Sequence, residues 1–388
     1  MQTKLVPISS FAILAATMGL LVASCTGLRL GRSLYPREDD WPAFGRTPSH
    51  SNIVARRIDL PLSLAWQCDV AAGIANGAPL LVDSLILGGT MRGDLYAIRV
   101  SDGKRLGWIG LGDAIHGSPV FDGNAVIVPL SNSKESLISF DLPTGVPRWK
   151  QSYGDVESSI LLNDKRLFFG TTVGKFFCVE SATGSKLWSF SLPSNSQMSG
   201  IRSSPAVQRS TVVFGADDGA VYALNIKDGS VTWTFSAGAP IAASPAIDST
   251  GVVIGTIAGE VLSLDFETGH LRWTVDVGSP VYAHALITPA VITVATTGGD
   301  LYGLSPLTGA RLWKTEIGSP MVAGPAAAGG TLFIGTLKRE VFAVGIADGA
   351  ILWKGTTEGR IKTSPVIGYG MVFFATDNQE IVAYRGGP

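Results

Sequence analysis

The side chains in this sequence that could perform chemistry are few and scattered. The chain has 388 residues and four histidines, His50, His116, His270 and His284. No group of histidines and cysteines has the spacing of metal ligands, and no Ser, His and Asp arrangement predicts a nucleophile. His116 and His284 lie near a repeated Ser-Pro element, where each could be a ligand or a base or simply a structural residue.

Acidic residues near the same element do not form a catalytic pattern either. Catalysis by a carboxyl group requires that group to be fixed against the reacting atom, and a calcium site requires several oxygen ligands that converge. The candidate acids belong to different repeat units, at different offsets from the Ser-Pro element. We therefore interpret them as solvated loop charges and predict a non-catalytic protein. They are Asp113, Asp155, Glu157, Asp276, Glu316 and Glu358.

The N-terminus has the pattern of a secretion signal. An uncharged apolar run, residues 8–24, is too short for a membrane span and ends directly before Cys25. Val22-Ala23-Ser24-Cys25 resembles the bacterial lipobox. The resemblance implies that residues 1–24 are removed and that Cys25 carries lipid. Thr26, which follows it, implies the outer membrane by similarity to enteric sorting. The alternative is an ordinary signal peptide that contains a cysteine.

Composition excludes two classes of protein. Hydrophobic residues make up 46% of the chain and charged residues 16%, which excludes a disordered protein. The net charge is -1 and no basic run occurs, which argues against nucleic acid as a partner. The two other cysteines, Cys68 and Cys178, could form one disulfide, but we expect two buried thiols. Residues 25–60 show no hydrophobic period, so we predict a flexible lipidated tether there.

A repeat of about 40 residues determines the predicted fold. Eight of the nine tryptophans recur at a nearly constant spacing, and such a period is typical of a propeller or a solenoid. A turn pair such as Asp228-Gly229 precedes most of them, and a Ser-Pro element such as Ser244-Pro245 follows. The tryptophans are predicted to be structural, buried between neighbouring units. They are Trp66, Trp108, Trp149, Trp188, Trp233, Trp273, Trp313 and Trp353.

Each unit is predicted to be four short strands joined by tight turns, and the eighth unit is split. Its first three strands end the chain, and residues 63–67 at the other end supply the fourth. The sequence therefore predicts an all-β, eight-bladed propeller of antiparallel blades over residues 61–388. The N-terminal strand closes the ring by completing the last blade, which leaves no long exposed edge. An open β-solenoid would not explain this split.

The unit resembles the PQQ-type propeller repeat. The resemblance is carried by Val221-Tyr222-Ala223-Leu224, Asp228-Gly229, Trp233 and Ser244-Pro245, and by the lead-in Asp40-Trp41-Pro42. Together with the lipobox, the length and the absence of a second domain, the chain is similar to outer-membrane assembly lipoproteins of the BamB type. This resemblance implies a non-catalytic periplasmic scaffold that binds proteins of β-barrel assembly.

Two other functions remain open at this point. The first is a PQQ- or quinone-dependent oxidoreductase, although the chain lacks the adjacent cysteines of that family, so we expect no cofactor. The second is an exported ligand-binding or sensor propeller. A partner could also add a strand to a blade edge. The longest step between tryptophans contains residues 192–202, and there Met198, Ile201 and Arg202 are the candidate partner contacts.

Overall fold

The computed structural model describes residues 27–193, 200–249 and 251–387. Eight antiparallel sheets form blades around a ring, and the first strand of each blade faces the centre, where first strands of several neighbouring blades contact one another. The described residues contain no helix. The predicted all-β, eight-bladed propeller is confirmed.

The strands run outward within each blade, from the first to the fourth. Two strands precede the first complete blade: β1 Ile53–Val54 and β2 Leu62–Asp69. Blade 1 comprises β3 Leu80–Val82, β4 Leu85–Gly89, β5 Asp94–Arg99 and β6 Arg105–Gly110. Blade 2 comprises β7 Val120–Asp122, β8 Ala125–Pro129, β9 Leu137–Asp141 and β10 Val146–Gln151. Blade 3 comprises β11 Leu161–Asn163, β12 Arg166–Gly170, β13 Lys175–Glu180 and β14 Lys186–Ser191.

The remaining blades repeat this plan. Blade 4 comprises β15 Ala206–Gln208, β16 Thr211–Gly215, β17 Ala220–Asn225 and β18 Val231–Ser236. Blade 5 comprises β19 Ala246–Ile247, β20 Gly251–Gly255, β21 Glu260–Asp265 and β22 Leu271–Asp276. Blade 6 comprises β23 Leu286–Ile287, β24 Ile292–Ala295, β25 Asp300–Leu304 and β26 Arg311–Glu316. Blade 7 comprises β27 Ala326–Ala328, β28 Thr331–Gly335, β29 Glu340–Gly345 and β30 Ile351–Thr356, and blade 8 comprises β31 Val366–Gly368, β32 Met371–Ala375, β33 Glu380–Gly386 and β2.

Burial explains why the strands differ in sequence. The second strand of blade 4, β16, is buried along its whole length, because both of its faces pack against neighbouring blades. The fourth strand, β18, alternates in exposure and buries Trp233. Strands buried on both faces have continuous apolar runs, whereas a strand at the outer rim needs only one apolar face.

The ring closes as predicted. Strand β2 pairs antiparallel with β33, from Leu62 opposite Gly386 to Asp69 opposite Glu380. The N-terminal strand therefore completes the last blade, and hydrogen bonds rather than a covalent link hold the two ends of the ring together.

A tryptophan links each of six pairs of neighbouring blades. The indole N–H of Trp233 in blade 4, for example, donates a 2.9 Å hydrogen bond to the carbonyl oxygen of Phe266 in blade 5. The indole ring of Trp233 lies against Gly269, which has a φ of +70°. A Cβ at Gly269 would lie 2.5 Å from the indole. Glycine is required both for the turn and for this close approach. The six are Trp66, Trp149, Trp188, Trp233, Trp273 and Trp313.

Trp108 departs from the predicted phase by one residue. In blade 4 Trp233 is the register partner of Ala223, but in blade 1 the corresponding residue, Ala97, pairs with Gly107. Trp108 instead stacks on Tyr96, with ring centroids 6.1 Å apart. The distance from the turn glycine carries this shift, because Trp108 follows Gly103 by five residues, whereas Trp233 follows Gly229 by four.

Residues 27–60 differ from the predicted flexible tether, since they pack along the propeller. Leu28, Leu34, Trp41 and Ile58 are all buried. The segment contacts many blades in turn, each through different residues. It therefore has no hydrophobic period, which is the reason that the sequence pattern resembled a tether. The predicted boundaries at residues 24 and 25 lie outside the described residues.

Residues 41–54, which we call the plug segment, cross the centre of the ring. The backbone of Trp41 exchanges two hydrogen bonds with Leu81 of blade 1, and its indole N–H donates to the carbonyl of Ile367 in blade 8. Carbonyl groups of Pro42, Pro48, Ser49 and Asn52 accept hydrogen bonds from the first strands of blades 2, 4, 5 and 7, and β1 pairs in parallel with β27. The plug segment thus satisfies inner-strand donors that would otherwise lack a partner.

The two cysteines within the ring are free and buried, as expected. Burial raises the pKa of the Cys178 thiol to about 12 and also raises the pKa of Cys68. Both side chains therefore act as small apolar residues, and Cys178 lies opposite Trp188 in the position that Ala223 has in blade 4.

Candidate functional site

A pocket of about 500 Å³ lies at the centre of the ring, and every blade contributes to its wall. Phe44 of the plug segment also lines it. Apart from Leu337, which lies between β28 and β29, the remaining lining residues come from the segments that lead into the first strands, around the repeated Ser-Pro element. Because neighbouring blades bring different residues to the same place, the pocket combines eight variants of one repeat position.

A ring of serines forms the inner part of the wall. The backbone N–H of Ser118 donates a 2.9 Å hydrogen bond to Oγ of Ser159. Ser159 and Ser204 donate in the same way to Ser204 and Ser244, at 3.0 Å. These bonds link adjacent blades and identify Ser159 as the equivalent of the other ring serines. Ser158 is also a serine, but it lies one residue before this position.

In each blade one residue takes the place of the ring serine, as Ser204 does in blade 4. The residue two positions before it forms the rim of the pocket, and all eight of these rim residues line the pocket. The side chains differ in charge and size from blade to blade, whereas five of the eight residues in the ring below them are serine. In the sequence, the signal for this rim is the residue two positions before each Ser-Pro element or its equivalent. The eight are Asn76, His116, Glu157, Arg202, Ala242, Tyr282, Val322 and Lys362.

Charges on the rim form ion pairs. Nε of Arg202 lies 3.1 Å from a carboxylate oxygen of Glu157, and its guanidinium also pairs with Asp217. Burial raises the pKa of the Asp217 carboxyl, and Arg202 acts in the opposite direction. Lys362 lies 3.3 Å from Asp377. The two cations are thus held in place at the pocket mouth, about half and one third exposed.

Two histidines enclose Phe44 at the inner end of the pocket. The rings of His50 and His284 meet the Phe44 ring edge-on, with centroids 5.0 Å and 5.3 Å away. Nδ1 of His50 lies 2.8 Å from the carbonyl oxygen of Pro245, and His284 is hydrogen-bonded to the carbonyl of Pro325. Burial lowers the pKa of His50 to about 4 and that of His284 to about 3, so both are neutral at pH 7.

His284 replaces a ring serine, and its neighbour has changed with it. The equivalent residue in blade 7 is Gly324, where a Cβ would lie 2.5 Å from Nδ1 of His284. The imidazole therefore occupies the space of the next ring side chain. Its Nε2 is buried and has no hydrogen-bond partner among the described residues. This pairing favours a structural role for His284.

The candidate partner contacts lie in different places. Met198 and Cys25 fall outside the described residues. Ile201 is completely buried, and a Cβ at Gly170 would lie 2.6 Å from its Cβ, so it cannot contact a partner. The sequence did not distinguish it from a loop residue because it ends the longest insertion. Arg202 reaches the pocket rim.

The candidate acids do not converge. Of the six, Glu157 alone lines the pocket. Within residues 27–193, 200–249 and 251–387, no group of three or more histidine, cysteine, aspartate or glutamate side chains could hold a metal ion. Over the same residues, no helix has the length and hydropathy needed to cross a membrane.

The closed ring of eight blades, with tryptophans docked on turn glycines, defines a β-propeller of the PQQ-repeat class. The family model described as outer membrane protein assembly factor BamB matches residues 54–157, 133–288 and 297–386. The chain belongs to this family. No curated protein matches it in sequence.

Solved structures share the fold at low sequence identity. BamB from Moraxella catarrhalis is 18% identical, covers 84% of this chain and 100% of its own, and has a TM-score of 0.71. Quinohemoprotein alcohol dehydrogenase from Comamonas testosteroni is 14% identical, covers 90% and 80%, and has a TM-score of 0.73. The computationally designed Ika8 protein is 16% identical, covers 82% and 98%, and has a TM-score of 0.72. The fold is therefore shared by BamB, an alcohol dehydrogenase and a computationally designed protein.

Proposed function

We propose that this protein is a non-catalytic scaffold of outer-membrane β-barrel assembly, which faces the periplasm and is held to the outer membrane by lipid on Cys25. Membership of the BamB family and the lipobox support this function. Its action is to bind and position an assembly protein, with no bond made or broken.

The pocket rim is the observation that carries the proposal. Tyr282 is 44% exposed there, and Arg202 lies two blades away on the same rim. Tyrosine and arginine are the residues most enriched at the centres of protein interfaces. The plug segment closes the inner end with Phe44, so the recess can accept a protruding loop of a partner. We therefore place the partner on this face.

Met198 remains part of the proposal through its position in the chain. It lies four residues before Arg202, within the insertion that leads to the rim. An apolar residue there could extend the contact beyond the pocket. A Met198→Ser variant tests this extension separately from the rim.

A crosslinking pull-down from native membranes tests the function. The intact lipoprotein should recover a barrel-assembly protein, identified by mass spectrometry. A contact residue at the centre of an interface contributes about 2 kcal/mol or more, so Tyr282→Ala should reduce recovery at least about tenfold. Leu271→Ala is the matched control, since Leu271 is 45% exposed but lies on the outer strand of blade 5. Equal recovery with both variants would exclude this face, and no assembly protein at all would exclude the function.

A quinone-dependent oxidoreductase is the rival function, because the alcohol dehydrogenase shares the fold. Calcium beside a quinone needs several oxygen ligands, usually including carboxylates. The pocket offers the carboxylate of Glu157, which is already paired with Arg202. The pocket residues therefore do not fit a quinone with its calcium ion. Titration calorimetry with PQQ and calcium tests this rival, and micromolar binding would favour it.

A further inference from the structure

The junction between blades 1 and 2 lacks a tryptophan, and the N-terminal segment takes its place. At the position of Gly107, a Cβ would lie 3.3 Å from the carbonyl oxygen of Gly27 and 3.5 Å from the side chain of Leu28. Leu28 is fully buried there, in a cluster with Leu85 and Leu142 of the two blades. An apolar side chain of the segment thus fills the slot that an indole fills at six other junctions.

The hydrogen bond of the missing indole is replaced as well. At the other junctions the indole N–H donates to the carbonyl three residues before the turn glycine, as Trp233 does to Phe266 before Gly269. In blade 2 the corresponding carbonyl is that of Leu142, and it accepts a 2.8 Å hydrogen bond from the backbone N–H of Leu30. The segment is therefore fitted to this one junction.

Beyond Leu30 the segment runs inward and is held by side-chain contacts. Arg32 pairs with Asp83 at 2.5 Å, and the N–H of Leu34 donates to the side chain of Asn124 at 2.8 Å. Residues 27–34 are the docking segment. Because both its ends are held, a force applied at its N-terminal end acts on the outer strands of blades 1 and 2.

The position of the docking segment restricts the position of the lipid. Leu28 follows Cys25 by three residues, and three residues span at most about 10 Å of extended chain. A flexible tether of 36 residues, from 25 to 60, would have left the propeller free to take any orientation. A docked segment restricts the orientation of the propeller relative to the lipid.

The surface around this exit suits a membrane. Arg29, Lys104 and Arg105 are exposed and form no ion pair among the described residues, whereas the neighbouring acids Asp102 and Asp141 are paired with arginines. Leu106 and Val146 on the outer strands of blades 1 and 2 are 44% and 57% exposed, but outer strands of other blades carry such residues too, so the cations distinguish this surface. Unpaired cations attract anionic headgroups, and aliphatic side chains enter the interface.

We propose that the outer rim of blades 1 and 2 rests on the membrane surface, so that the lipid on Cys25 and the docking segment hold the propeller in one orientation. The inference rests on the lipid anchor in the proposed function and extends it to the surface that faces the bilayer. Blade 5, opposite blade 1 in the ring of eight, then points into the periplasm.

Fluorescence quenching on vesicles tests this orientation. The intact lipoprotein carries one added cysteine, Leu106→Cys or Leu271→Cys, labelled with a small fluorophore, since Cys68 and Cys178 are buried. Leu106 and Leu271 are equally exposed and lie on opposite blades. The vesicles contain phosphatidylethanolamine, phosphatidylglycerol and a lipid with a nitroxide headgroup. Quenching should be several-fold stronger at position 106.

A second pair of variants links the result to the docking segment. Gly107→Trp restores the tryptophan in register and displaces Leu28, so it should make quenching at the two positions equal. If that variant does not fold, Lys104→Gln with Arg105→Gln should reduce the difference while leaving the segment docked. Equal quenching in the lipidated protein without these changes would overturn the orientation and leave the scaffold function intact.

Mass spectrometry of the N-terminal peptide separates the two proposals. Lipid on Cys25 with equal quenching contradicts the orientation alone. Absence of lipid on Cys25 contradicts the anchor, and the inference with it. Neither result depends on a partner protein, because the vesicles contain none.

Discussion

The backbone N–H of Leu30 donates to the carbonyl oxygen of Leu142, at 2.8 Å, where six other blade junctions use the indole N–H of a tryptophan. Beside this bond Leu28 occupies the space above Gly107. A segment that sequence patterns identify as a tether is thus a structural part of the ring.

The tryptophans should differ in their contribution to stability. Trp233 is buried and hydrogen-bonded to Phe266, so Trp233→Ala should lower the free energy of unfolding by about 3–5 kcal/mol. Trp108 is out of register, partly exposed and stacked on Tyr96, so Trp108→Ala should cost less than half as much. Urea unfolding followed by circular dichroism measures both. An equal loss of free energy of unfolding in both variants would show that Trp108 stabilises the fold as much as the in-register tryptophans.

Restoring the missing tryptophan should release the docking segment. The Gly107→Trp indole requires the space of Leu28, and the backbone of Gly27 and Leu28 is already in contact there. Amide hydrogen exchange should therefore become much faster at residues 28–34, including the N–H of Leu30. Gly110→Trp on the same outer strand is the control, because a Cβ there has no neighbour closer than 3.5 Å and does not meet the docking segment. Unchanged protection at Leu30 would contradict the docking.

His284 and Gly324 should behave as a coupled pair. Gly324→Ser restores the ring serine but places its Cβ against the imidazole, so it should be destabilising, by about 1–3 kcal/mol as for other overpacked sites. Combining it with His284→Ser removes the imidazole and restores the sequence of the other blades. The double variant should recover most of the loss, which a double-mutant cycle in urea measures. Additive losses would show that the two side chains do not share this space.

The buried histidines should make the protein sensitive to acid. The pKa of His50 falls from 6.5 to about 4 on folding, and that of His284 to about 3, because burial disfavours the charged form. Below pH 6.5 the unfolded chain therefore binds protons that the folded chain does not, and stability falls between about pH 6.5 and pH 3. Each unit of pKa difference corresponds to about 1.4 kcal/mol. Above pH 6.5 this contribution is complete and constant.

The measurement is the urea midpoint as a function of pH. The double variant His284→Ser, Gly324→Ser removes one of the two titrating groups, so its midpoint should fall less steeply below pH 6.5. A parallel fall in both proteins would assign the acid sensitivity to other residues.

The repeat made most of the fold predictable. Trp233, Asp228-Gly229 and Ser244-Pro245 recur in nearly every unit, and the unpaired strands at the two ends predicted the closure by β2 and β33. What the period could not predict was the path of residues 27–60, because each blade contacts a different part of that segment. A contact made once leaves no periodic signal.

The candidate site was predictable in part, for the same reason. Arg202 and His284 were visible as departures from the repeat, and both line the pocket. Ile201 was assigned to the surface because the residues before it form an insertion, whereas its side chain fills the space above Gly170. Tyr282 was missed, because only its position two residues before the ring serine would have placed it on the rim. In blade 6 that serine is replaced by His284.

The position of the partner on the pocket rim is the central claim, and site-specific photocrosslinking tests it most directly. A photoreactive amino acid replaces Tyr282 in one protein and Leu271 in another, and both are irradiated in native membranes. We predict that position 282 crosslinks to a barrel-assembly protein and that position 271 does not. Crosslinks from position 271 alone, or from neither position to any assembly protein, would contradict the account.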